Sequence, residues 1–326
     1  MLEKLFSQTK GFRAPELVGI SDWINSKPLE IHKDLKGKIV LVDFWAYSCI
    51  NCIRTLKYIN DWHKKYAFRG LVIIGVHSPE FEFEKQKENV EMAVKKFDIK
   101  YPICLDNEFK TWRAYNNHYW PHKYLIDQEG NIVYDHVGEG GYEETEEVIQ
   151  KLLEKIGQNI KVELTKETQI PYSAAQTSEL YFGYHFARKG LGNTQGFRAN
   201  QIVEYSLPKE IKEDIIYMEG KWQNNVDHMR HANKKKASTI LSFRAKTLNI
   251  VANAKKAKVD VFLDGKPIRK DQAGEDVIVK GGKSYIIVDK AKLYHVVGNK
   301  NQYGSYTLKL ITKNEGFEIY SYTFGS

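Results

Sequence analysis

Hydrophobic positions in the first half of the chain follow two alternating periods. Short, continuous apolar runs, typical of buried strands, are separated by segments in which apolar residues recur at helical spacing. The apolar runs are KIVLVDF (38–44), LVIIGVH (71–77) and YPICL (101–105). The segments of helical spacing are one that begins near Cys49, then NVEMAVKKF (89–97) and FKTWRAY (109–115). Strands that alternate with helices predict an α/β unit.

A hairpin and a last helix complete this unit. KYLID and IVYDHVG are predicted strands on either side of the turn QEGN. YEETEEVIQKLLEKIG has acidic residues in its first turn and Lys155 and Gly157 at its end, as the helix dipole and helix termination favour. The pattern predicts a mixed sheet with helices on both faces, over residues 1–158.

The pattern changes in the second half, where short alternating runs are broken by Gly, Asn and Asp. They include ELYFGYHF, QIVEYSL, STILSFRA, KVDVFLDG and YTLKLIT. Many short strands without helical segments predict an all-β sandwich or jelly roll over residues 176–326. The polar stretch NIKVELTKETQIPYSAA (159–175) has no sustained period, and we interpret it as a linker.

Charge and hydropathy narrow the class of function. The chain has 49 Lys and Arg against 41 Asp and Glu, for a net charge of +8. The lysines are spread along the chain and the densest run, HANKKKAS (231–238), is short and typical of a solvated loop, so we expect no nucleic-acid partner. No segment has the ~18 apolar residues of a membrane span, and the start lacks the apolar core of a secretory signal. We expect a soluble chain that works in the cytoplasm or is part of an exported protein.

Three cysteines do not make a disulfide scaffold. Cys104 lies in the apolar run YPICLDN, where we expect an inert core thiol. Cys49 and Cys52 lie three residues apart in DFWAYSCINCIRTL, at the predicted junction of a strand and a helix. They could be an exchanging disulfide, half of a metal site or two core thiols.

The helix start favours exchange. Free N–H groups and the positive end of the helix dipole stabilise a thiolate on the first cysteine, so Cys49 is the expected nucleophile. Cys52, almost one turn further on and deeper, is the expected resolving thiol. A metal site needs about four ligands, but there is no second C-x-x-C, and His118 and His122 lie in a loop beside a proline. We therefore expect no metal and no cofactor.

Asp43 and Pro121 complete the candidate site. Asp43 interrupts an apolar strand, and a carboxyl buried there would have a raised pKa and could exchange a proton with the resolving thiol. The alternative is a strand-end residue bonded to the backbone. In NHYWPHKYLID, the proline before a strand suits a cis Trp120–Pro121 bond, which exposes backbone that can pair with an extended substrate. An ordinary trans proline is the alternative.

These motifs carry a family resemblance. IVLVDFWAYSCINC resembles the active-site strand and helix start of thioredoxins, with Asp43, Trp45 and the two cysteines at the positions of their buried acid, tryptophan and redox pair. HSPEFEFEKQKENVEMAVKKF resembles the insertion of the TlpA/ResA-like branch. WINSKPLEI, YWPHKYLIDQEG and HVGEGGYEETE resemble the soluble portion of DipZ-type proteins. SELYFGYHFARK, VFLDGKPI and YSYTFG resemble the carbohydrate-binding-module-like domain of that family.

The resemblance implies a thiol–disulfide oxidoreductase on the extracytoplasmic, periplasmic side. Its substrates would be disulfide-containing proteins, and a CcdA-like membrane protein would supply electrons. Because no membrane span is present, a cytoplasmic location is the alternative. Ser48 stands where many thioredoxins carry Trp, and Ile50 and Asn51 replace Gly and Pro between the cysteines. The direction of electron flow therefore stays open, although we favour reduction.

Further residues are candidates for substrate contact. Trp120 adjoins the proline, Tyr47 could shield Cys49 or contact substrate, and Glu80 could approach the cysteines from the insertion. The alternatives are half-buried packing for Tyr47 and a surface carboxylate for Glu80. Aromatic residues of the second half could stack on sugar rings or fill a core: Tyr181, Tyr184, Trp222, Tyr285, Tyr294, Tyr303, Tyr320 and Tyr322.

Two other functions compete with disulfide reduction. A peroxiredoxin-like thiol peroxidase shares the fold, but Ala46 stands three residues before Cys49, where that activity requires Thr. The second alternative is a glycan-binding or cell-wall-binding protein in which the thioredoxin unit is a passenger.

Overall fold

The computed structural model describes residues 11–166, 176–298 and 300–325, which form two compact units that divide between residues 169 and 170. Residues 1–10 of the predicted first domain, residues 167–175 of the predicted linker and Ser326 lie outside the described residues. The described part of the predicted linker contacts the first unit. Ile160 and Val162 pack against its core, and the Thr165 N–H donates to the Glu146 carboxylate at 2.7 Å.

The first unit contains seven strands and four α-helices among its described residues. The strands are β1 (Phe12–Arg13), β2 (Asp22–Ile24), β3 (Ile39–Trp45), β4 (Leu71–His77), β5 (Ile103–Leu105), β6 (His122–Ile126) and β7 (Asn131–Val137). The helices are α1 (Ile50–Tyr66), α2 (Lys87–Lys96), α3 (Lys110–Ala114) and α4 (Tyr142–Lys155).

These strands form one mixed sheet in the order β1-β7-β6-β3-β4-β5-β2. β3, β4 and β5 are parallel, whereas β6 and β7 are an antiparallel hairpin beside β3. Every residue of β3 is buried because the sheet is covered on both faces. The predicted mixed sheet with a terminal hairpin is confirmed.

The alternation of side chains along β3 separates two cores. Leu41 and Trp45 face the core that holds α1 and α4, whereas Val42 and Phe44 face the other core. Because successive side chains of a strand point to opposite faces, Asp43 lies on the face of Leu41 and Trp45. It therefore faces the helix that carries Cys52.

The local pattern did not predict all of this unit. The two edge strands β1 and β2 have only two and three residues and were not predicted. A short 3₁₀ turn, Glu82–Lys85, precedes α2 and was also not predicted. This turn decides which acid of the insertion points inward.

The described residues of the second unit contain thirteen strands. They are β8 (Leu180–Tyr181), β9 (Ile202–Tyr205), β10 (Ile216–Asn224), β11 (Met229–His231), β12 (Ala237–Ala245), β13 (Thr247–Asn253), β14 (Ala257–Leu263), β15 (Lys266–Pro267), β16 (Ile278–Lys280), β17 (Lys283–Val288), β18 (Lys292–Val297), β19 (Gly304–Thr312) and β20 (Glu318–Gly325).

The strands share one hydrophobic core, in which Trp222, Phe243 and Tyr322 are fully buried. The main path through them is β16-β17-β14-β19-β12-β10-β11-β20-β13-β18. β10 joins the two halves of this path: its first residues pair with β12 and its last with β11. Gly220, between these two parts, has a φ of +87°, a conformation that glycine adopts without strain.

The prediction of an all-β second half is confirmed, since residues 176–298 and 300–325 form strands and turns without an α-helix. Only Leu180–Tyr181 of the run ELYFGYHF is a strand, and the strands β10 and β11 were not predicted. The run HANKKKAS includes an exposed loop at residues 234–236, as expected. None of the helices in the described parts of the chain is long and apolar enough to cross a membrane.

Candidate active site

Cys49 caps the N-terminus of α1. Its backbone is extended, with φ −73° and ψ 115°, and its Sγ accepts the amide N–H of Cys52 at 3.3 Å. Cys49 is partly exposed and Cys52 is only 1% exposed, and both are free thiols. An N–H donor and the helix dipole both stabilise negative charge on the Cys49 sulfur. The geometry therefore separates an accessible sulfur from a buried one.

The buried thiol needs a proton acceptor. Burial raises the pKa of Cys52 well above its usual value, and the neighbouring Cys49 and Asp43 raise it further. At neutral pH Cys52 is therefore a thiol, which is a poor nucleophile. Its reaction depends on a base close to it.

Asp43 is placed to be that base. It is 1% exposed, and its Oδ1 has no hydrogen-bond partner among the described residues. Burial raises the pKa of Asp43 to about 7, and the positive charge of Lys123 opposes this shift. A carboxyl group that titrates near neutrality can accept a proton and release it again. The predicted burial of Asp43 agrees with the structure, and its role in proton transfer stays a prediction.

The Trp120–Pro121 peptide bond is cis, as predicted. The indole N–H of Trp120 donates to the carbonyl of Ser78 at 3.0 Å, and its ring contacts Trp112 at 4.3 Å between centroids. The Pro121 carbonyl accepts the N–H of Gly138 at 2.8 Å. Hydrogen bonds thus fix the turn on two sides, through Ser78 after β4 and through Gly138 after β7.

That segment also contacts the first turns of α1. The guanidinium of Arg54, two residues after Cys52, lies 3.3 Å from the Glu139 carboxylate and 3.4 Å from the side-chain oxygen of Asn51. Glu139 follows Gly138, which holds Pro121. The structure therefore brings the proline turn and the cysteine pair to the same end of the sheet.

Glu84, in the insertion, contacts the cysteine loop. The Glu84 carboxylate is fully buried and accepts the N–H and the hydroxyl of Ser48 at 3.0 and 2.8 Å. Glu80 is half-buried, and its N–H donates to the same carboxylate at 2.6 Å. The 3₁₀ turn Glu82–Lys85 contains Glu84 and directs its carboxylate inward, whereas a role of Glu80 near the cysteines stays a prediction.

Tyr47 is a packing residue. It is 3% exposed and its ring stacks on His77, with centroids 5.7 Å apart and planes at 21°. Its N–H donates to the Nε2 of His77 at 3.3 Å, and burial lowers the pKa of that histidine to about 3. Tyr47 therefore supports the loop from inside, in agreement with the packing alternative, and a substrate contact by its side chain stays a prediction.

Sequence reasoning missed Glu84, Lys123 and Arg54. A signal existed for Lys123, which interrupts the apolar strand HKYLI just as Asp43 interrupts KIVLVDF.

Cys104 is buried in β5, as expected. Within the described residues, no group of three or more His, Cys, Asp or Glu has a metal-binding arrangement. The two ring nitrogens of His122 contact Asn117 and Asp135.

Two family models match the chain. The AhpC/TSA family matches residues 23–135, and a thioredoxin-like C-terminal domain family matches residues 177–325. The thiol-disulfide oxidoreductase ResA of Bacillus cereus is 34% identical over 142 residues, which are 44% of this chain and 78% of ResA. This chain belongs to the thioredoxin-like thiol-disulfide oxidoreductases.

Nearly the whole length of this oxidoreductase is also similar to part of a longer protein. Protein DipZ of Mycobacterium tuberculosis is 33% identical over 319 residues, which are 96% of this chain and 43% of DipZ. The chain is thus of the DipZ type and spans less than half the length of that relative. A solved thioredoxin domain of a thiol-disulfide oxidoreductase from Bacteroides vulgatus is 26% identical, with 45% of this chain and 99% of that domain covered and a TM-score of 0.38.

The first unit of the oxidoreductase has the thioredoxin-like fold, and the second is a large all-β domain. The cysteine pair lies where β3 meets α1, in the unit that is similar to ResA.

Proposed function

We propose that Cys49 and Cys52 exchange dithiol and disulfide and reduce disulfides of extracytoplasmic proteins. One observation carries this proposal: the partly exposed sulfur of Cys49 accepts the N–H of Cys52, whose own thiol is buried beside Asp43. An accessible, stabilised thiolate beside a protected thiol is what a two-step exchange requires.

The reaction starts at the exposed sulfur. The Cys49 thiolate attacks one sulfur of a substrate disulfide, so a Cys49–substrate disulfide forms and the second substrate sulfur leaves as a thiolate that takes a proton from water. Cys52 then gives its proton to Asp43 and attacks the Cys49 sulfur. The Cys49–substrate bond breaks as the Cys49–Cys52 disulfide forms, and the substrate sulfur leaves as a thiolate that takes a proton from water. Two electrons have passed from the dithiol to the substrate.

The electron balance of this reaction requires an electron donor as a partner. The oxidised pair must be reduced again by an external dithiol, and we propose a CcdA-like membrane protein as its source. The similarity to DipZ and ResA supports this proposal and the extracytoplasmic, periplasmic location. The redox-active cysteine pair replaces a cofactor in this scheme.

The second unit is proposed to be an accessory binding domain with a jelly-roll or sandwich topology. Five of its candidate aromatic residues are buried, which leaves no free ring face for a sugar: Tyr181, Trp222, Tyr294, Tyr320 and Tyr322. Tyr184, Tyr285 and Tyr303 are partly exposed. Among the candidate rings, these three have exposed surface that could stack on a sugar, and we propose them as the aromatic contacts of a glycan.

The test is reduction of insulin disulfides by the reduced protein and by three single variants. We expect Cys49→Ser to abolish reduction and Cys52→Ser to accumulate a mixed disulfide through Cys49. Cys104→Ser, which alters a thiol buried in the other core, is the matched control and should keep the wild-type rate.

Three outcomes would contradict the proposal. A wild-type protein that leaves insulin oxidised would overturn it, and so would a Cys49→Ser variant that keeps the activity. Consumption of peroxide by Cys52→Ser would favour the thiol peroxidase. Binding to a glycan array without insulin reduction would favour the glycan-binding protein.

A further inference from the structure

A lysine is buried beside the acid of the active site. Lys123 in β6 is 0% exposed, although a charged ammonium is costly to bury unless charged or polar groups surround it. In the antiparallel pairing of β3 and β6, Lys123 is the register partner of Asp43. Side chains of directly opposed residues leave the same face of a sheet, so the ammonium and the carboxyl share one side.

The same ammonium holds the segment after β7. Its Nζ donates to the Gly138 carbonyl at 3.0 Å and lies 5.4 Å from the ring centroid of Tyr142. The N–H of Gly138 in turn donates to the Pro121 carbonyl. One buried cation is therefore connected both to the acid below the cysteines and to the proline turn.

Asp43 faces titratable groups from three directions. Cys52 comes from α1, Tyr101 from the loop before β5, and Lys123 from β6. In the other neighbouring strand of β3, which is β4, Gly75 is the register partner of Asp43 and adds no charge. Of the three titratable groups, Lys123 is the cation, and its charge favours the ionised carboxylate.

We propose that Lys123 is a positioning residue of the exchange reaction, whose ammonium keeps Asp43 ionised as proton acceptor for Cys52 and ties this acid to the Pro121–Gly138 segment. The inference rests on the proposed function of the cysteine pair. In the resolving step the Cys52 proton goes to the Asp43 carboxylate, the Cys52–Cys49 bond forms, and the Cys49–substrate bond breaks with the substrate sulfur leaving as a thiolate. Lys123 keeps its proton throughout.

The direction of the effect follows from the charges. Burial raises the pKa of Asp43, and the Lys123 ammonium lowers it. Without the ammonium the pKa of Asp43 is therefore higher, and its carboxyl stays protonated to higher pH. Fewer molecules then have a base for Cys52 at neutral pH. We expect the resolving step to be at least about fivefold slower at pH 7, which corresponds to a rise of one unit or more from the wild-type pKa of about 7.

The experiment separates the charge of Lys123 from its hydrogen bond. Lys123→Gln keeps an amide donor for the Gly138 carbonyl and removes the charge, whereas Lys123→Met removes both. Lys95→Gln, at an exposed position of α2, is the control for the same change in net charge. The rate of mixed-disulfide resolution is measured from pH 5 to 10 by rapid quenching and mass spectrometry.

We expect both Lys123 variants to move the pH profile to higher pH, and Lys95→Gln to keep the wild-type profile. An unchanged profile in Lys123→Gln would overturn the proposal. A shift in Lys123→Met alone would assign the effect to the hydrogen bond and also overturn it. The double variant Asp43→Asn/Lys123→Met, which removes both buried charges, should resolve as slowly as Asp43→Asn alone; additive slowing would contradict a role through Asp43.

A second readout needs no turnover. The carboxyl carbon of Asp43 is titrated by NMR in the reduced wild type and in Lys123→Gln, where we expect a higher midpoint. If wild type does not reduce insulin but the midpoint rises, the proposed function fails and the electrostatic role of Lys123 stands. If insulin is reduced and the midpoint is unchanged, only this inference fails.

Discussion

Glu84 holds Ser48, the residue before Cys49, through both its amide N–H and its hydroxyl. The same carboxylate accepts the N–H groups of Glu80 and Phe81 at 2.6 and 3.1 Å. Burial raises the pKa of Glu84, and these four hydrogen bonds oppose the shift. One buried carboxylate therefore connects the insertion to the loop that presents Cys49.

Ser48→Ala tests this connection. It removes one of the four donors from a buried carboxylate, so we expect the free energy of unfolding to fall by about 1–3 kcal/mol. Urea denaturation followed by the fluorescence of the first unit measures it. Ser21→Ala is the control, because that exposed hydroxyl donates to a single backbone carbonyl and its loss should cost less. Equal losses in the two variants would contradict the role of Glu84.

Asp43→Asn tests the proposed base. In the wild type, the resolving step should accelerate as pH rises through about 7, because the carboxylate form accepts the Cys52 proton. Asparagine accepts no proton, so we expect resolution at pH 8 to slow by about 100-fold and the mixed disulfide to accumulate. Quenched samples analysed by mass spectrometry show that intermediate. A variant that resolves at the wild-type rate would exclude Asp43 as the base.

The stability of the reduced protein should also depend on Asp43. Its folded pKa, about 7, lies above the value of 3.8 for an exposed aspartate, so the folded state binds the proton more tightly. The free energy of unfolding should therefore fall as pH rises from about 4 to 7 and stay level above, by on the order of 4 kcal/mol. Asp43→Asn should lose this component, so that its stability relative to wild type increases with pH. Parallel pH curves for the two proteins would contradict a raised pKa.

The second unit offers a test in its own core. The Tyr322 hydroxyl and the Thr239 hydroxyl are 2.6 Å apart and buried. Tyr322→Phe leaves Thr239 without this partner, so we expect the second unit to lose about 1–3 kcal/mol of unfolding free energy. Tyr322→Phe/Thr239→Val removes both polar groups and should recover part of the loss. Exchange with a small disulfide should keep its wild-type rate, and a slower rate would show that the β domain affects the chemistry.

Much of the candidate site is encoded locally. Asp43, Cys49 and Cys52 lie within ten residues of one another on a strand, a turn and a helix start, so the pattern alone predicts their order and burial. The cis bond before Pro121 is also a local property of its dipeptide and turn. These features could therefore be predicted without knowledge of the rest of the fold.

The contacts that cross the sheet could not be predicted in this way. Lys123 faces Asp43 only because of the register between β3 and β6, and register depends on the packing of both strands. The inward position of Glu84 depends on a 3₁₀ turn that simple alternation does not reveal. In the second unit, β10 was not predicted because Gly220 interrupts its pattern at the point where β10 changes its partner strand from β12 to β11.

The unequal exposure of the cysteines has a practical consequence. Cys52 and Cys104 are 1% and 0% exposed, whereas Cys49 is partly open to solvent. A bulky thiol reagent added to the folded, reduced protein should therefore modify one sulfur per molecule, without any cysteine having to be removed by mutation. Cys49, the proposed nucleophile, is thus also a ready attachment point for a spin label, a fluorophore or a covalent inhibitor.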